Sequence, residues 1–396
     1  MRIGIASPFN PYEFKEYLGI KNIPSLNESA RAIHIYVKEL LEAGHSVTVF
    51  TTYTSSQFTQ NLVLQKDNLK IFVISRHYNI PKIGAFVRLF LHKRIAREME
   101  KEIDKLDVLH AQWTYEYALA ASRFTRKLPV FCTVRDWCPV IMKGQNNWVD
   151  KIYWKCSYYT FKKVMANEQI HFIANSSYTL NQLRTSFPSK EINLIYNPID
   201  KKDINETRLS YPSTPVFVSI ANGNGKLKNI SKLVEAFNEY HKINNNSKLL
   251  LIGGCFVKDD PVILEWGKRS LLNGVVLMGL CNHETIVRTL DGCSAMIHPS
   301  LEETFGNVLV EGMSRRIPVV GGDKSGAVPE VLDFGECGIL CDVTDAKSIY
   351  NAMVESLNPT KRNSIVDKAT KRLKEVYASN AIVKKHIDYY QRFLCS

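Results

Sequence analysis

The chain has 396 residues but no apolar run near the roughly 18 residues that a membrane-spanning helix needs. Its first segment, MRIGIASPFNPYEF, carries one Arg and then a short apolar stretch. That length suits a first β-strand and is too short for the core of an export signal, so a cytoplasmic protein is expected. No CxxC pair occurs among the nine cysteines, at positions 132, 138, 156, 255, 281, 293, 337, 341 and 395. An odd count without paired spacing excludes a disulfide framework, and reduced, buried thiols are expected. Cys337 and Cys341 have no His or second Cys pair to complete a zinc site, so no metal is expected. Internal repeats and low-complexity tracts are also missing, apart from a polar turn at 244–247. A composition 45% hydrophobic and 23% charged excludes disordered and fibrous classes. The length exceeds one ordinary core, so two domains of about 200 residues are expected.

What the chain has in excess is positive charge. The net is +12, with +9 in residues 1–200 and +3 in residues 201–396. Such a balance suits nucleic acid, a phospholipid surface or an anionic small substrate. No nucleic-acid motif accompanies the charge, which excludes the first.

Short β-rich runs alternate with helical patterns along the whole chain. Strands are expected at 2–7, 47–51, 70–75, 108–111, 130–134, 171–175 and 193–197, then at 216–222, 248–254, 275–279, 294–299, 318–322 and 338–342. Helices fall between them, and a last helical stretch covers 360–391. This alternation predicts a parallel sheet in each half, hence two doubly wound α/β domains with ligand-facing loops at the carboxyl ends of their strands. The polar, non-periodic segment 197–215 marks the boundary, and a ligand is expected in a cleft between the halves.

The richest segment is HPSLEETFGNVLVEGMSRRIPVVGGDKSGAVPEV, residues 298–331. A strand ends at His298-Pro299, a loop carries Glu302, Glu303, Thr304, Phe305 and Gly306, and a helix starts near Asn307 with Glu311 on its second turn. Gly306 lets backbone approach a ligand, and the free N–H groups of a first helical turn bind anions. A carboxylate accepts two hydrogen bonds in a fork, which suits vicinal sugar hydroxyls. Phosphate at a helix end flanked by Glu303 and Glu311 describes a nucleotide-sugar site. The bland alternative is a surface helix whose acidic residues stabilise its own dipole.

Glu303-Thr304-Phe305-Gly306-Asn307-Val-Leu-Val-Glu311, the preceding His298-Pro299-Ser300 and the following Gly322…Gly326-Ala-Val-Pro329-Glu330 together resemble the E-x-F-G-x-x-x-x-E pattern of glycosyltransferase family four. Other strings are similar to the family's at their expected places: EAGHSVTVFTT (42–52), DVLHAQW (107–113), TVRDW (133–137), ANSSYTLNQL (174–183), LIYNPID (194–200) and ANGNGKLKNISKLVEAF (221–237). The resemblance implies a GT-B fold: residues 1–200 an acceptor-binding Rossmann-like domain, 201–375 a donor-binding one, and 376–396 a helix crossing back to the first. It implies a retaining, metal-independent transfer of a hexose-type sugar from a nucleotide diphosphate sugar to a glycan or lipid-linked acceptor. The donor serves as co-substrate, with a UDP-sugar expected ahead of a GDP-sugar and no cofactor. Bacterial surface-polysaccharide synthesis is the pathway expected from the family. A nucleotide-sugar epimerase on the same fold and a non-catalytic sugar-nucleotide binder are the competing readings.

The resemblance also assigns roles. Glu311 matches the ribose-binding carboxylate and Glu303 the residue beside the donor sugar's hydroxyls. Thr304 lies within the same donor loop, and Phe305, Gly306 and Asn307 offer backbone N–H groups. Lys228 matches the Lys that neutralises the diphosphate, with Lys226 close enough to replace it. Fixed positive charge there stabilises the departing nucleoside diphosphate. Two positions depart from the pattern. The family's Arg five residues before that Lys is Gly223 here, within a turn that includes Gly225 and can itself supply N–H groups; Lys324 is one candidate to restore the charge. The family's first-domain His is Arg135, which stays protonated and cannot be a general base. It can hold an anionic group or pair with neighbouring Asp136. His110 is either a core residue or a sugar or acceptor contact, and Gln112 stands where relatives often carry a second His. Specificity is expected in the loops 10–28 and 136–150.

Two basic, aromatic helices are candidates for an anionic membrane at the inner face of the cell membrane. The first, at 83–105, holds Phe86, Leu89, Phe90 and Ile95 among Arg88, His92, Lys93, Arg94 and Arg97, with Arg76 and Lys82 nearby. The second is 148–165, dense in Trp, Tyr and Lys. The first is preferred; the alternative is a core-facing stripe with solvated charges.

Overall fold

The computed structural model describes residues 1–20, 30–53, 60–76, 84–144, 148–208, 210–223 and 225–394. Lys82, Asn224, parts of the two specificity loops (21–28 and 145–147) and the side chains of Phe86, Arg88 and Leu89 lie outside that description. The chain forms two compact units, one of Met1–Pro198 with Ser379–Ser396 and one of Ile199–Ala378.

The strands of the first unit are β1 (Arg2–Ala6), β2 (Ser46–Tyr53), β3 (Leu62–Lys66), β4 (Leu69–Ser75), β5 (Val108–Ala111), β6 (Val130–Val134), β7 (Ile170–Ala174) and β8 (Ile192–Leu194). They form one sheet in the order β3-β4-β2-β1-β5-β6-β7-β8. All neighbours are parallel except β3 and β4. Strands such as Val108-Leu-His-Ala and Val130-Phe-Cys-Thr-Val are buried along their whole length, as strands covered on both faces must be. The covering helices include α1 (Arg31–Glu42), α2 (Gly84–Glu100) and α3 (Trp148–Met165). Ile33, Tyr36, Val37 and Leu40 of α1 fill one face of the sheet. Leu91, Ile95, Ala96 and Met99 of α2 and Phe161, Val164 and Met165 of α3 fill the other.

That packing takes Ile95, one of the apolar residues named in 83–105, into the core. The described apolar residues of α2 are core, and Phe90 is the exception, 60% exposed. Among the described residues no helix is long and apolar enough to cross a membrane. The eight described cysteines are free thiols; Cys395 lies outside the described residues.

In the second unit, β9 (Val216–Ile220), β10 (Lys248–Ile252), β11 (Val275–Gly279), β12 (Ala295–His298), β13 (Val319–Gly322) and β14 (Ile339–Cys341) form a wholly parallel sheet in the order β11-β10-β9-β12-β13-β14. Its helices include α4 (Ile230–Ile243) and α5 (Asn307–Ser314). The expected terminal helix 360–391 is interrupted. Helix Pro359–Arg372 runs into a π-helical turn at Leu373–Tyr377, Ala378 is extended, and α6 (Ser379–Gln391) follows within the first unit. There Ile382, Val383, Tyr389 and Tyr390 of α6 join the core cluster of α1, and the hydroxyls of Tyr390 and Tyr36 lie 2.6 Å apart.

In the first unit the imidazoles of His110 and His386 are buried and that of His34 is half-buried. Burial, helped by the Arg31 charge, pushes His34 down to about 3. Burial, with Arg135 nearby, does the same to His386, and burial with the His386 and Arg135 charges holds His110 well below its ordinary value. A base depressed in the native state leaves the unfolded chain holding more protons below about pH 6.5. Stability is therefore complete above that pH and falls as pH drops toward about 3, by about 1.4 kcal/mol per pH unit per imidazole. Urea unfolding between about pH 7.5 and about pH 5 should show that slope. Replacing His386, whose Nδ1 is buried without a hydrogen-bond partner, by Met should remove about one proton's share of it.

Candidate active site

In the second unit β12 delivers His298 to its carboxyl end, where Pro299 opens a loop that must find hydrogen bonds outside the sheet. It finds them on the turn Lys226–Lys228. The Leu301 N–H donates to the Leu227 carbonyl at 2.8 Å, and the Ser300 hydroxyl donates to the same oxygen at 3.2 Å. Asn229, left-handed at φ +53°, donates its amide to the carbonyls of Val343 (2.7 Å) and Pro299 (3.2 Å). The turn that carries Lys228 is thus bound to the loop that carries Glu303.

The consequence is a three-residue cluster. Lys228 Nζ donates to Glu303 Oε1 at 2.6 Å, and His298 Nε2 lies 3.1 Å from that same oxygen. Oε2 of Glu303 makes no hydrogen bond among the described residues. The Glu303 side chain is 15% exposed. Burial opposes its ionisation, but Lys228 and His298 outweigh that and hold the carboxyl well below the usual range. Next to it, burial and the Glu303 charge push the Glu302 carboxyl up. The result is one fixed, ionised carboxylate with one oxygen clamped and the other open to a ligand.

Two glycines set the backbone around it. Gly306 sits at φ +82° and opens α5, and a Cβ there would fall 2.8 Å from Leu309 Cδ1. Gly326, at φ +61°, lies against the backbone of Glu303: a Cβ would fall 2.3 Å from the Glu303 carbonyl oxygen, which accepts the Ala327 N–H at 2.9 Å. We predict that Gly326→Ala lowers stability by about 1–3 kcal/mol through left-handed strain and lowers turnover by displacing Glu303. Urea unfolding and steady-state rates measured on the same preparation check both effects.

The other expected donor residues spread around this cluster. The Phe305 ring is buried edge-on against Tyr377, centroids 5.5 Å apart, so it anchors the loop. Thr304 is half-buried and Asn307 exposed. Half-buried Glu311 lies one turn beyond Asn307 on the same face of α5. Gly223, at φ +117°, follows β9 with open space where a Cβ would stand, and Gly225 caps the lysine turn. Lys226 is exposed, whereas Lys228 makes the ion pair. Lys324 is exposed on the loop after β13. Among the described residues no group of three or more His, Cys, Asp or Glu side chains is placed to hold a metal ion.

In the first unit the candidates form a different network. His110 is fully buried. Its Nε2 lies 2.8 Å from Thr133 Oγ1, and its Nδ1 meets the Tyr390 hydroxyl and, at 3.1 Å, Gln112 Nε2. Both ring nitrogens are taken inside the core of the first unit. Arg135, at the end of β6, donates its Nε to Gln112 Oε1 at 3.1 Å and one terminal nitrogen to the same oxygen. Its other terminal nitrogen reaches Asn197 Oδ1. Burial pushes its guanidinium down to about 10. Asp136 accepts the Tyr115 hydroxyl at 2.9 Å, and burial pushes its carboxyl up to about 7. Arg135 thus meets Gln112 and Asn197 among its partners, and Asp136 meets Tyr115.

Sequence reasoning did not single out His298, Asn197 or Tyr115. His298 and Asn197 stand inside strings already quoted, His298-Pro299-Ser300 and LIYNPID, the first at the carboxyl end of β12 and the second three residues past that of β8. That position was the available signal. Gln112 and Arg135, noted separately as departures, prove to be one hydrogen-bonded unit.

Residues 29–203 match the family described as Glycosyltransferase Family 4, and residues 200–372 match Glycosyl transferases group 1. A curated relative, the N-acetyl-alpha-D-glucosaminyl L-malate synthase of Bacillus anthracis, is 23% identical over 389 residues, spanning 94% of this chain and 96% of that protein. Among solved structures, sucrose-phosphate synthase from Thermosynechococcus elongatus superposes with a TM-score of 0.79 at 16% identity, covering 100% of this chain and 99% of that one. HepE of Anabaena, solved with UDP-glucose, superposes with a TM-score of 0.68 at 14% identity, covering 99% and 100%.

Proposed function

Because the chain belongs to the glycosyltransferases of family four and has the GT-B fold, we propose that it moves a hexose-type sugar from a nucleotide diphosphate sugar to a glycan or lipid-linked acceptor with retention at the anomeric carbon. The observation that carries this reading is the Glu303 carboxylate, clamped through one oxygen by Lys228 and His298 beside the start of α5. Oε2 accepts sugar hydroxyls. Lys228 has three N–H donors and keeps one on Glu303 while offering others to the diphosphate. The first-turn N–H groups of α5 add their dipoles to the same anion.

The bond between the anomeric carbon and the phosphate oxygen breaks with its electron pair leaving on phosphate. The acceptor oxygen forms the new bond on the face the phosphate has left, and its proton passes to the departing phosphate. Lys228 and the N–H dipoles lower the barrier by matching negative charge as it develops. Glu303 and Glu311 hold the sugar and ribose hydroxyls, so the reacting carbon is already aligned. The second unit is the donor side in this reading, and the first unit, with its excess of positive charge, is the acceptor side. UDP is the preferred nucleotide, in keeping with the UDP-glucose held by the similar fold of HepE. Surface-polysaccharide assembly is the proposed setting.

A thermal-shift series of UDP-, GDP- and ADP-sugars tests the donor assignment. One nucleotide class should raise Tm as its concentration passes Kd, with about 2.7 kcal/mol of added stability at 100 times Kd. Lys228→Ala should abolish most of that gain. Equal and negligible shifts for all three classes would sink the proposal.

A further inference from the structure

We propose that the outer face of α3 in the first unit is a docking surface for an anionic lipid bilayer. A helix that covers a sheet ordinarily shows water a charged, polar face. This one shows aromatic and aliphatic side chains instead. Trp148 is 71% exposed and Tyr159 62% exposed, with Val149 and Ile152 exposed between them. Trp148, Ile152, Lys155 and Tyr159 stand at helical spacing, so they share one stripe about 16 Å long. Lys151, Lys155, Lys162 and Lys163 are exposed along it, and Asp150 is the helix's single acidic residue. The core needs none of these side chains, because Phe161, Val164 and Met165 fill it from the opposite face.

His92 of α2 and Tyr153, Ser157 and Thr160 of α3 line one small cavity together with Tyr115, Glu116 and Leu119. Phe90 of α2 is exposed, with Lys93 Nζ 5.3 Å from its ring centre. Tryptophan and tyrosine carry an apolar body and a polar tip that suit the headgroup level of a bilayer. Lysine lays its stem along apolar groups and raises its ammonium to anionic headgroups. A second copy of the chain suits this surface poorly. A two-fold interface sets each patch against itself, which would oppose lysines to lysines over a stripe one helix wide. A planar layer of negative charge meets no such repulsion. The surface belongs to the first unit alone, so it stands whether or not the sugar-transfer reading does.

Flotation of the full chain with vesicles tests it. Phosphatidylcholine vesicles with about one quarter phosphatidylglycerol should carry the protein at low salt and release it as ionic strength rises to about 0.5 M, while pure phosphatidylcholine should not carry it. A triple variant, Trp148→Ala with Ile152→Ala and Tyr159→Ala, should bind the anionic vesicles at least tenfold more weakly. Lys151→Glu with Lys155→Glu should do likewise and leave the aromatics in place. Unchanged Tm and unchanged donor-nucleotide binding in both variants separate this result from any failure of the donor site. The proposal is overturned if wild type ignores anionic vesicles, if it binds neutral ones equally, or if both variants bind as wild type does. Light scattering that finds a dimer, lost in the triple variant while vesicles remain unbound, overturns it in favour of self-association.

Discussion

Glu303→Gln should lower kcat by about 10²- to 10³-fold while the protein stays folded. Gln keeps the shape and still offers a carbonyl oxygen to Lys228 and His298, which now share Glu303 Oε1 at 2.6 and 3.1 Å. What Gln removes is charge. The oxygen left for ligand becomes an amide nitrogen that donates where the carboxylate accepts, so it opposes the sugar hydroxyls it must hold. Hydrogen bonds to a charged group contribute about 1.5–3 kcal/mol each, and losing one interaction aimed at the transition state costs about 10²- to 10³-fold. The donor's KM should move less than kcat. A Gln variant within threefold of wild-type turnover would remove Glu303 from the chemistry.

Lys228→Ala should have the second-largest effect, on two observables together. It removes the cation proposed to meet the diphosphate, so kcat/KM for the donor should fall by about 10²-fold or more. It also leaves the buried Glu303 charge with His298 as its remaining partner, and breaking a buried pair from one side destabilises by about 3–5 kcal/mol, less here because Lys228 is partly exposed. The sign with pH is distinctive. In the wild type the depressed Glu303 carboxyl contributes stability that is present above the unfolded carboxylate's pKa and lost as pH falls through it. Without Lys228 that acid-side loss should shrink. Lys228→Arg should restore much of the stability and less of the rate, since a planar guanidinium does not reproduce an ammonium's geometry. An alanine variant with normal donor kinetics would transfer the phosphate role to another cation, Lys226 first.

The strands with the most continuous apolar runs were all legible. β1, β5, β6 and β12 are buried along most or all of their length, and such runs can hardly be anything else. β3 was missed because Leu62–Lys66 is half-polar and lies at the sheet edge, pairing through a tight turn at Asp67 with φ +48°. The break near 373–378 was missed because LKEVYAS carries no Pro or Gly. Its cause is tertiary: Ile199 pairs with Ala378 where the chain enters and leaves the second unit. The loop proposed to hold the donor was legible through its spacing, Glu303 to Glu311 across Gly306. The family match put Lys228 ahead of Lys226, and the ion pair with Glu303 falls on Lys228, on a turn held by the contacts of Asn229 and Ser300. The sequence left His110 either a core residue or a sugar or acceptor contact. Its Nδ1 meets Tyr390, 280 residues away in sequence, and no local pattern announces such a partner. On α2 the described apolar side chains other than Phe90 belong to the core, while α3 carries more aromatics than a core needs.

Above all, the Glu303 cluster is proposed to cleave a nucleotide diphosphate sugar and to pass the sugar on with its configuration kept. Proton NMR of a reaction with an α-linked sugar nucleotide reads the outcome directly from the anomeric coupling of the first product formed. An α-configured product with stoichiometric nucleoside diphosphate is expected, formed by the wild type and slowed by about 10²- to 10³-fold in Glu303→Gln. A β-configured product, or the same rate in the variant, would refute the proposal.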